Sequence, residues 1–262
     1  MRKDSQPLSP HDQHATSRRT ALKLGAAGAA SLLLTRFPAF AGTTIQTGED
    51  PMQPGAFVYT ELQITVPFSK VPWNDINTAI KAQPGFLNKT WFSGLGNQSA
   101  GGIYAFDTVE NAQKFVTDYF PREARNFGVA QTTRVFDAAA TADASLDMNS
   151  VHYGPQENNP HPKAFVYTEV QVSVPFEQAP WQDRNPVLRQ QPGLLSKTWL
   201  SGLHTHTVGG VDAFDSIANA RAFAIDDFPK TAKAMNAAYY TRIFDASVTE
   251  DASIAMNSPY YL

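Results

Sequence analysis

The chain contains the same domain-sized segment twice. Residues 56–150 return without a gap as residues 164–258, and about half of the paired positions are identical. Both copies begin with the run Ala-Phe-Val-Tyr-Thr-Glu, at Ala56 and at Ala164. A unit of this length is longer than the roughly 20–50 residues of a solenoid repeat. The sequence therefore predicts two copies of one small domain in a single chain, with any functional site either doubled or located between the copies.

The segment before the first copy has the features of an export signal. Arg18 and Arg19 precede an apolar stretch rich in Ala, Gly and Leu, and Ala39-Phe-Ala41 provides the small residues of a cleavage site. These features predict a twin-arginine signal peptide over residues 1–41, although Ala21 stands where such signals often carry an aromatic residue. A membrane anchor is the alternative, but the apolar run is shorter than the roughly 20 residues that a spanning helix needs. We expect a periplasmic or secreted protein.

Charge and cysteine content exclude several classes of partner. The chain has a net charge of −3 and no cysteine. Residues 1–41 hold six basic and two acidic side chains, which leaves the remainder with a net charge of −7. An acidic chain without basic runs is a poor binder of nucleic acid, and after signal cleavage it is also a poor binder of anionic membranes. Disulfides, thiolate metal ligands and a cysteine nucleophile are excluded.

Each copy predicts the element order β-α-β-β-α-β. Alternation of apolar and polar residues predicts strands. Apolar residues three or four positions apart, between turn signals, predict helices. In the first copy, the predicted strands cover residues 56–66, 86–93, 101–106 and 132–137, and the predicted helices cover residues 74–83, a segment from 107 onward, and 141–148. Asp107 is the expected N-cap of the second helix, with Glu110 completing a capping box.

This order is the split βαβ arrangement of a ferredoxin-like domain, which carries both helices on one face of its sheet. The bare faces of two copies can cover each other. The predicted fold is therefore α+β, with tandem ferredoxin-like repeats packed sheet to sheet as a dimeric α+β barrel within one chain. The expected divisions are a signal peptide (1–41), a flexible lead (42–55), the first repeat (56–150), a linker (151–163) and the second repeat (164–262).

Several runs of residues resemble a known family. Pro84–Trp91, Gly101–Phe106 and Val135–Asp137, with the helix between the last two, are similar to the YdhR-type monooxygenases of the dimeric α+β barrel superfamily. Members are usually separate chains that pair, whereas here the pair is fused. The resemblance implies a monooxygenase that uses no cofactor. It also implies an electron-rich aromatic substrate, of the phenol, quinol or anthrone type, that reacts with molecular oxygen.

The expected site lies between the two sheets. Alternation along the first strand places Leu62, Ile64 and Val66 on the helix side and the intervening polar residues on the cavity side. On the second strand, the same alternation groups Lys89 with Trp91. The predicted catalytic residues, carboxylates as bases and ammonium groups for an oxyanion, are Glu61, Glu169, Lys89 and Lys197. The predicted substrate-binding residues are Tyr59, Gln63, Trp91, Arg134, Tyr167, Gln171, Trp199 and Arg242. The alternative for Glu61 is a structural ion pair with Lys89 or Arg134.

Other functions stay open at this stage. A non-catalytic binding protein for a small apolar ligand would have the same architecture. His204 and His206, two residues apart in the predicted hairpin of the second repeat, share a face and are candidates for metal or haem ligation, although a third ligand is not evident. Exposed turn histidines are the alternative. The sequence also leaves open whether one or both halves are active and whether chains associate further.

Overall fold

The computed structural model describes residues 53–154 and 159–262. The predicted signal peptide and most of the predicted lead lie outside the described residues. Both repeats belong to one compact unit. No helix in the described part of the chain is both long enough and apolar enough to cross a bilayer.

Each repeat has the predicted element order, and the two repeats match element by element. The first repeat consists of β1 Ala56–Gln63, α1 Trp73–Lys81, β2 Phe86–Ser93, β3 Ser99–Phe106, α2 Val109–Lys114, a π-helical segment Phe115–Tyr119, α3 Phe120–Phe127, β4 Gln131–Asp137 and α4 Ala142–Leu146. The second repeat consists of β5 Ala164–Gln171, α5 Trp181–Leu188, β6 Leu194–Gly202, β7 Thr207–Phe214, α6 Ile217–Arg221, a π-helical segment Ala222–Asp227, α7 Phe228–Ala234, β8 Tyr239–Asp245 and α8 Glu250–Ile254.

The cap of α2 differs from the expectation by one residue. Thr108 has extended dihedral angles and its side chain accepts a hydrogen bond from the backbone N–H of Asn111, so Thr108 is the N-cap. Asp107 instead accepts a hydrogen bond from the Asn111 side chain at 2.8 Å. Glu110 forms an exposed ion pair with Lys114 and does not complete a capping box. The prediction of an Asp107 cap was therefore wrong, because the chain stays extended for one residue more.

The eight strands close into a barrel. Their order is β2-β3-β1-β4-β6-β7-β5-β8, so the two four-stranded halves meet where β4 pairs with β6. The ring closes where Gly94, just after β2, bridges Phe244 of β8. At this second seam Leu95 N–H donates to the Ile243 carbonyl at 2.9 Å. Closure protects the sheet edges of both repeats and confirms the predicted fold of fused α+β repeats packed sheet to sheet.

The barrel interior is filled by side chains from both repeats. These residues are fully or almost fully buried and include Phe57, Tyr59, Phe92, Phe136, Phe165, Tyr167, Leu200, Val211 and Phe244. Residues 151–153, which the sequence places in the linker, contribute Val151 and Tyr153 to the same core. The shared chamber expected between the sheets is therefore occupied by packed aromatic rings. One further core lies between each half of the barrel and the helices that cover it.

The closing helix of each repeat packs on the other repeat. The segment containing α8 covers β2, where Trp91 N–H donates to the Ser253 hydroxyl at 2.9 Å. The segment containing α4 covers β6 in the same way, with Trp199 N–H donating to the Ser145 hydroxyl at 2.9 Å. Each of these two segments, here called an arm, supplies hydrogen-bond partners to the outer strand of the other half. The two repeats therefore form one cooperative structure.

Candidate functional site

A β-bulge in β2 decides which way its polar residues face. The register with β3 shifts between Phe86 and Asn88. Beyond this bulge Phe92 enters the barrel core, whereas Lys89 and Trp91 lie on the helix side of the sheet. The prediction that Lys89 and Trp91 face the space between the sheets was therefore wrong. The corresponding bulge in β6 turns Lys197 and Trp199 toward the helices of the second repeat.

The tyrosines and glutamates of the first strands lie inside the barrel as predicted and form a polar cluster there. The prediction was wrong for Gln63, which is exposed, and for Gln171, which lines a cavity on the helix side, because both stand at the strand ends. The rings of Tyr59 and Tyr167 stack with centroids 4.1 Å apart. The Tyr59 hydroxyl donates to Glu61 at 2.9 Å, and the Tyr167 hydroxyl donates to Glu169 at 2.5 Å. Burial and the neighbouring carboxylates raise the pKa of both tyrosines well above the ordinary value, so both phenols stay protonated and act as donors.

The ion pairs of this cluster cross between the repeats. Arg242 Nε lies 3.1 Å from Glu61, and Arg134 Nε lies 3.3 Å from Glu169. The expected pairs of Glu61 with Lys89 or Arg134 are absent, because the barrel seam brings β8 of one repeat against the carboxylate of the other. Packed rings and crossed ion pairs hold the two halves in register, which makes the cluster structural in character.

Two cavities lie on the opposite faces of the sheets, each between one half of the barrel and its helices. The cavity of the first repeat has a volume of about 100 Å³. The cavity of the second repeat has a volume of about 660 Å³. Ligand pockets usually measure roughly 300–1,000 Å³. The second cavity is therefore large enough for an aromatic substrate and is the candidate site. The first has room only for a molecule of a few non-hydrogen atoms.

Substitutions between the repeats go with the difference in size. Tyr104 and Tyr119 line the first cavity, and Asp212 and Asp227 occupy the equivalent positions in the second repeat. The second repeat thus has two shorter carboxylates where the first has two phenol rings. The same exchange changes the electrostatics, because the first repeat has no carboxylate at the position of Asp212.

A buried ion pair lies at the second cavity, with Lys197 in the lining and Asp212 behind it. Lys197 Nζ donates to both carboxylate oxygens of Asp212, at 2.9 and 3.1 Å. Their side chains are 3 % and 0 % exposed. Burial raises the pKa of Asp212, and the Lys197 ammonium opposes that rise. Gly210 lies beneath this lysine, and a Cβ there would collide with Nζ. The pair places a cation at the cavity surface with a basic carboxylate directly behind it.

The second cavity is lined by both aromatic and polar side chains. Trp199 is fixed because its indole N–H donates to the Asn185 side chain at 2.9 Å. The other lining aromatics are Trp181, Phe223 and Phe228, and the polar lining residues include Thr168, Gln171, Arg184, Asp227 and Asn236. Phe223 and Asp227 belong to the π-helical segment Ala222–Asp227, an irregularity often found at functional sites. Flat aromatic rings beside one ion pair suit a planar, weakly acidic ligand.

The predicted site residues other than Gln63 divide among three places. Lys89 and Trp91 line the first cavity, and Lys197, Trp199 and Gln171 line the second. The six residues of the barrel cluster are Tyr59, Glu61, Arg134, Tyr167, Glu169 and Arg242. Gln63 is exposed at the end of β1 and lines neither cavity. The sequence-based prediction missed Asp212. The available signal was a strand position that holds Tyr in one repeat and Asp in the other.

The two hairpin histidines are not assembled into a site. His204 and His206 are exposed and both have positive φ, 58° and 50°. Within residues 53–154 and 159–262, the structure contains no group of three His, Cys, Asp or Glu side chains that could hold a metal ion. Ligation by these histidines therefore has no support from the geometry.

The family resemblance is confirmed for the first repeat. Residues 62–147 match the model of the family described as "Putative mono-oxygenase ydhR". The second repeat is related to the first by their internal identity. The match supports a mono-oxygenase-like role for this repeat. No curated protein sequence matches the chain.

Several solved structures are similar to this chain at low identity. An "anthrone oxidase-like protein" is 17 % identical, with 75 % of this chain and 93 % of that chain covered and a TM-score of 0.48. A "putative monooxygenase" of Fusobacterium nucleatum is 11 % identical, with 74 % and 92 % covered and a TM-score of 0.41. A "putative monooxygenase" of Lactobacillus acidophilus is 9 % identical, with 73 % and 93 % covered and a TM-score of 0.40. At such identities and TM-scores, the activity of this chain has to be argued from its own site.

Proposed function

We propose that this chain, whose first repeat matches the YdhR mono-oxygenase family, is an exported monooxygenase that oxidises an electron-rich aromatic without a cofactor. The substrate is a phenol, quinol or anthrone, bound in the second-repeat cavity. The observation that carries the proposal is the Lys197–Asp212 pair at a cavity of about 660 Å³ whose lining includes aromatic side chains.

The first step is deprotonation of the substrate. Its acidic group is held against Lys197 Nζ, and the Lys197 ammonium lowers the cost of forming the anion. Asp212 accepts the proton by way of the lysine, because its carboxylate already receives two hydrogen bonds from Nζ. The raised pKa of Asp212 makes it a stronger base than an exposed carboxylate.

The anion then reacts with oxygen. One electron passes from the substrate anion to O₂, giving a substrate radical and superoxide, and their recombination forms a carbon–oxygen bond. The resulting peroxide takes up the proton to become a hydroperoxide. The O–O bond then breaks while the same carbon loses its hydrogen as a proton. The departing hydroxide takes up that proton and leaves as water, and the carbon becomes a carbonyl. One O₂ is consumed for each substrate, one oxygen atom enters the product, and the other leaves as water. Trp199 and the apolar walls exclude bulk water, which protects the intermediates from quenching.

Export is the second part of the proposal. The paired arginines ahead of an apolar run, with small residues at 39 and 41, support removal of residues 1–41 after twin-arginine transport. This route carries folded protein to the periplasm or beyond. Fractionation of cells that express the full chain, with Arg18→Lys/Arg19→Lys as the control, tests it. Cytoplasmic retention of the unaltered chain would contradict it.

Oxygen consumption by the purified chain, treated with chelator, tests the chemistry across a panel of anthrones, quinols and phenols. Asp212→Asn keeps the size of the side chain but removes the base, and we expect turnover to fall roughly 100-fold or more. Lys197→Met/Asp212→Leu replaces the buried pair with apolar groups, a change that often leaves stability unaltered. This variant should fold and be inactive.

Lys233→Met serves as a matched control, since Lys233 is an exposed lysine of α7 in the same repeat. Its turnover should equal that of the unaltered chain. Binding of the panel without oxygen uptake would identify a non-catalytic ligand-binding protein instead. Unchanged turnover in both the Asp212→Asn and the double variant would remove the second cavity from the mechanism.

A further inference from the structure

We propose that Lys89 in the first-repeat cavity is a nucleophilic amine that captures short, apolar aldehydes or ketones as an imine. This site is separate from the second-repeat cavity and does not depend on the oxygenase activity proposed for it. Three observations carry the inference: the isolation of Lys89, its contrast with Lys197, and the shape of the cavity above it.

Lys89 is buried without an ionic partner. Its side chain has 0 % relative exposure, and Nζ makes no hydrogen bond to any described residue. Nζ lies over the ring of Trp91, 2.8 Å from the centroid, and 4.6 Å from the centroid of the Tyr104 ring. Burial lowers the pKa of Lys89 well below the ordinary value. Burial without an ionic partner favours the neutral amine, which is the form that attacks carbonyl groups.

The second repeat shows what a paired lysine looks like at the same position. Lys197 has the same place on its strand and an equivalent tryptophan, but it donates two hydrogen bonds to Asp212. Tyr104 replaces that aspartate in the first repeat. The Lys89 amine therefore lacks the carboxylate partner that its counterpart has. Because the chain contains both lysines, Lys197 serves as an internal control for the nucleophilicity of Lys89.

The cavity above Lys89 has the form of a small, apolar pocket with an opening. Its lining includes Leu62, Ile64, Ile76, Ile80 and Phe120. Val66 and Phe127, which are 41 % and 44 % exposed, lie at its outer end. The other titratable side chains of the lining are Lys70, Glu123, Tyr104 and Tyr119. A volume of about 100 Å³ holds a few water-sized groups, which corresponds to a short unbranched carbonyl compound.

Two hydroxyl groups in the same cavity can move the protons that the reaction requires. The Thr60 hydroxyl donates to the Tyr104 hydroxyl at 3.2 Å, and both residues line the pocket beside Lys89. The Nζ lone pair attacks the carbonyl carbon to form a C–N bond, and a proton passes from nitrogen to the former carbonyl oxygen. The C–O bond of this carbinolamine then breaks, water leaves, and a C=N bond results. No oxidant or reductant is needed.

Reductive trapping tests the proposal. The purified chain is incubated with butanal at neutral pH, reduced with borohydride, digested, and analysed by peptide mass spectrometry. Each unit by which burial lowers the pKa of Lys89 raises its neutral fraction about tenfold at a given pH. We therefore expect the butyl adduct on Lys89 to exceed that on Lys197 and on each exposed lysine by at least about tenfold. A naphthaldehyde, too large for the cavity, should not label Lys89.

Two variants separate a reactive site from general lysine labelling. Lys89→Met should abolish the selective adduct and leave labelling of the exposed lysines unchanged. Tyr104→Asp supplies the missing carboxylate, so labelling of Lys89 should fall to the level of Lys197. An adduct distributed over exposed lysines such as Lys81 and Lys163, with Lys89 unmodified in the folded chain, would overturn the proposal. Equal labelling of Lys89 and Lys197 would overturn it as well.

Discussion

The buried amine of Lys89 should make the stability of the protein depend on pH. Its folded-state pKa is lowered from the ordinary value of 10.5 because the side chain is buried. Between the folded and the unfolded pKa, the unfolded chain binds one proton more than the folded chain. Stability therefore rises with pH in that interval, by up to about 1.4 kcal/mol for each pH unit. The same contribution is lost as the pH falls.

Lys89→Met removes this linkage while keeping a flexible side chain of similar length in the apolar site. The variant should be more stable than the unaltered chain at neutral pH. Its advantage should shrink by up to about 3 kcal/mol between pH 7 and pH 9. Urea unfolding at a series of pH values, followed by tryptophan fluorescence, measures both curves. Lys81→Met, at an exposed position of α1, is the control for loss of a lysine as such and should run parallel to the unaltered chain.

Parallel curves for Lys89→Met and the unaltered chain would refute the reasoning, since they would show that Lys89 is equally protonated in the folded and unfolded states. In that case the amine would also lack the nucleophilic form. A less stable Lys89→Met variant with the same pH slope would lead to the same conclusion.

Three further predictions concern buried polar groups. Burial lowers the pKa of His152 from 6.5 to about 3. Stability should therefore fall by up to about 1.4 kcal/mol per pH unit as the pH drops below about 6.5. In the same urea titrations, His152→Phe should weaken this dependence of stability on acidic pH. Asn185 is fully buried and joins the Trp199 indole to the α4 arm. Asn185→Leu should therefore lower the free energy of unfolding, measured by calorimetry, by roughly 3 kcal/mol. A loss of stability below about 1 kcal/mol would contradict this role. Arg242→Met should destabilise the fold by roughly 3 kcal/mol, because Glu61 is 1 % exposed and would lose its ion-pair partner. An unchanged urea midpoint of unfolding would show that the ion pair between Arg242 and Glu61 is dispensable for stability.

Much of the architecture could be predicted from local patterns. Alternation along β1 correctly placed Tyr59 and Glu61 inside and Leu62 outside, since a regular strand turns successive side chains to opposite faces. The same reasoning failed on β2, where Lys89 and Trp91 face the helices. One extra residue at a bulge reverses every later side chain, and a bulge leaves no clear signal in a single sequence.

The candidate site shows the same division. Lys197 could be singled out because a lysine within an apolar strand demands a partner. Its partner Asp212 lies on the neighbouring strand, and only the register of β6 against β7 joins them. The crossed pairs of Glu61 and Glu169 likewise depend on which strands meet at the seams, a property of the assembled barrel.

The sequence by itself determined that two related domains would share one fold, because each copy encodes a sheet with an apolar face that needs a cover. It also set the chemical inventory, including the exchange of Tyr104 for Asp212. Only the tertiary structure decided that aromatic rings would fill the space between the sheets, and that the usable cavities would lie on the helix side. The physical reason is that strand periodicity is local, whereas the bulges, seams and exchanged arms that select a face arise from contacts between residues far apart in the chain.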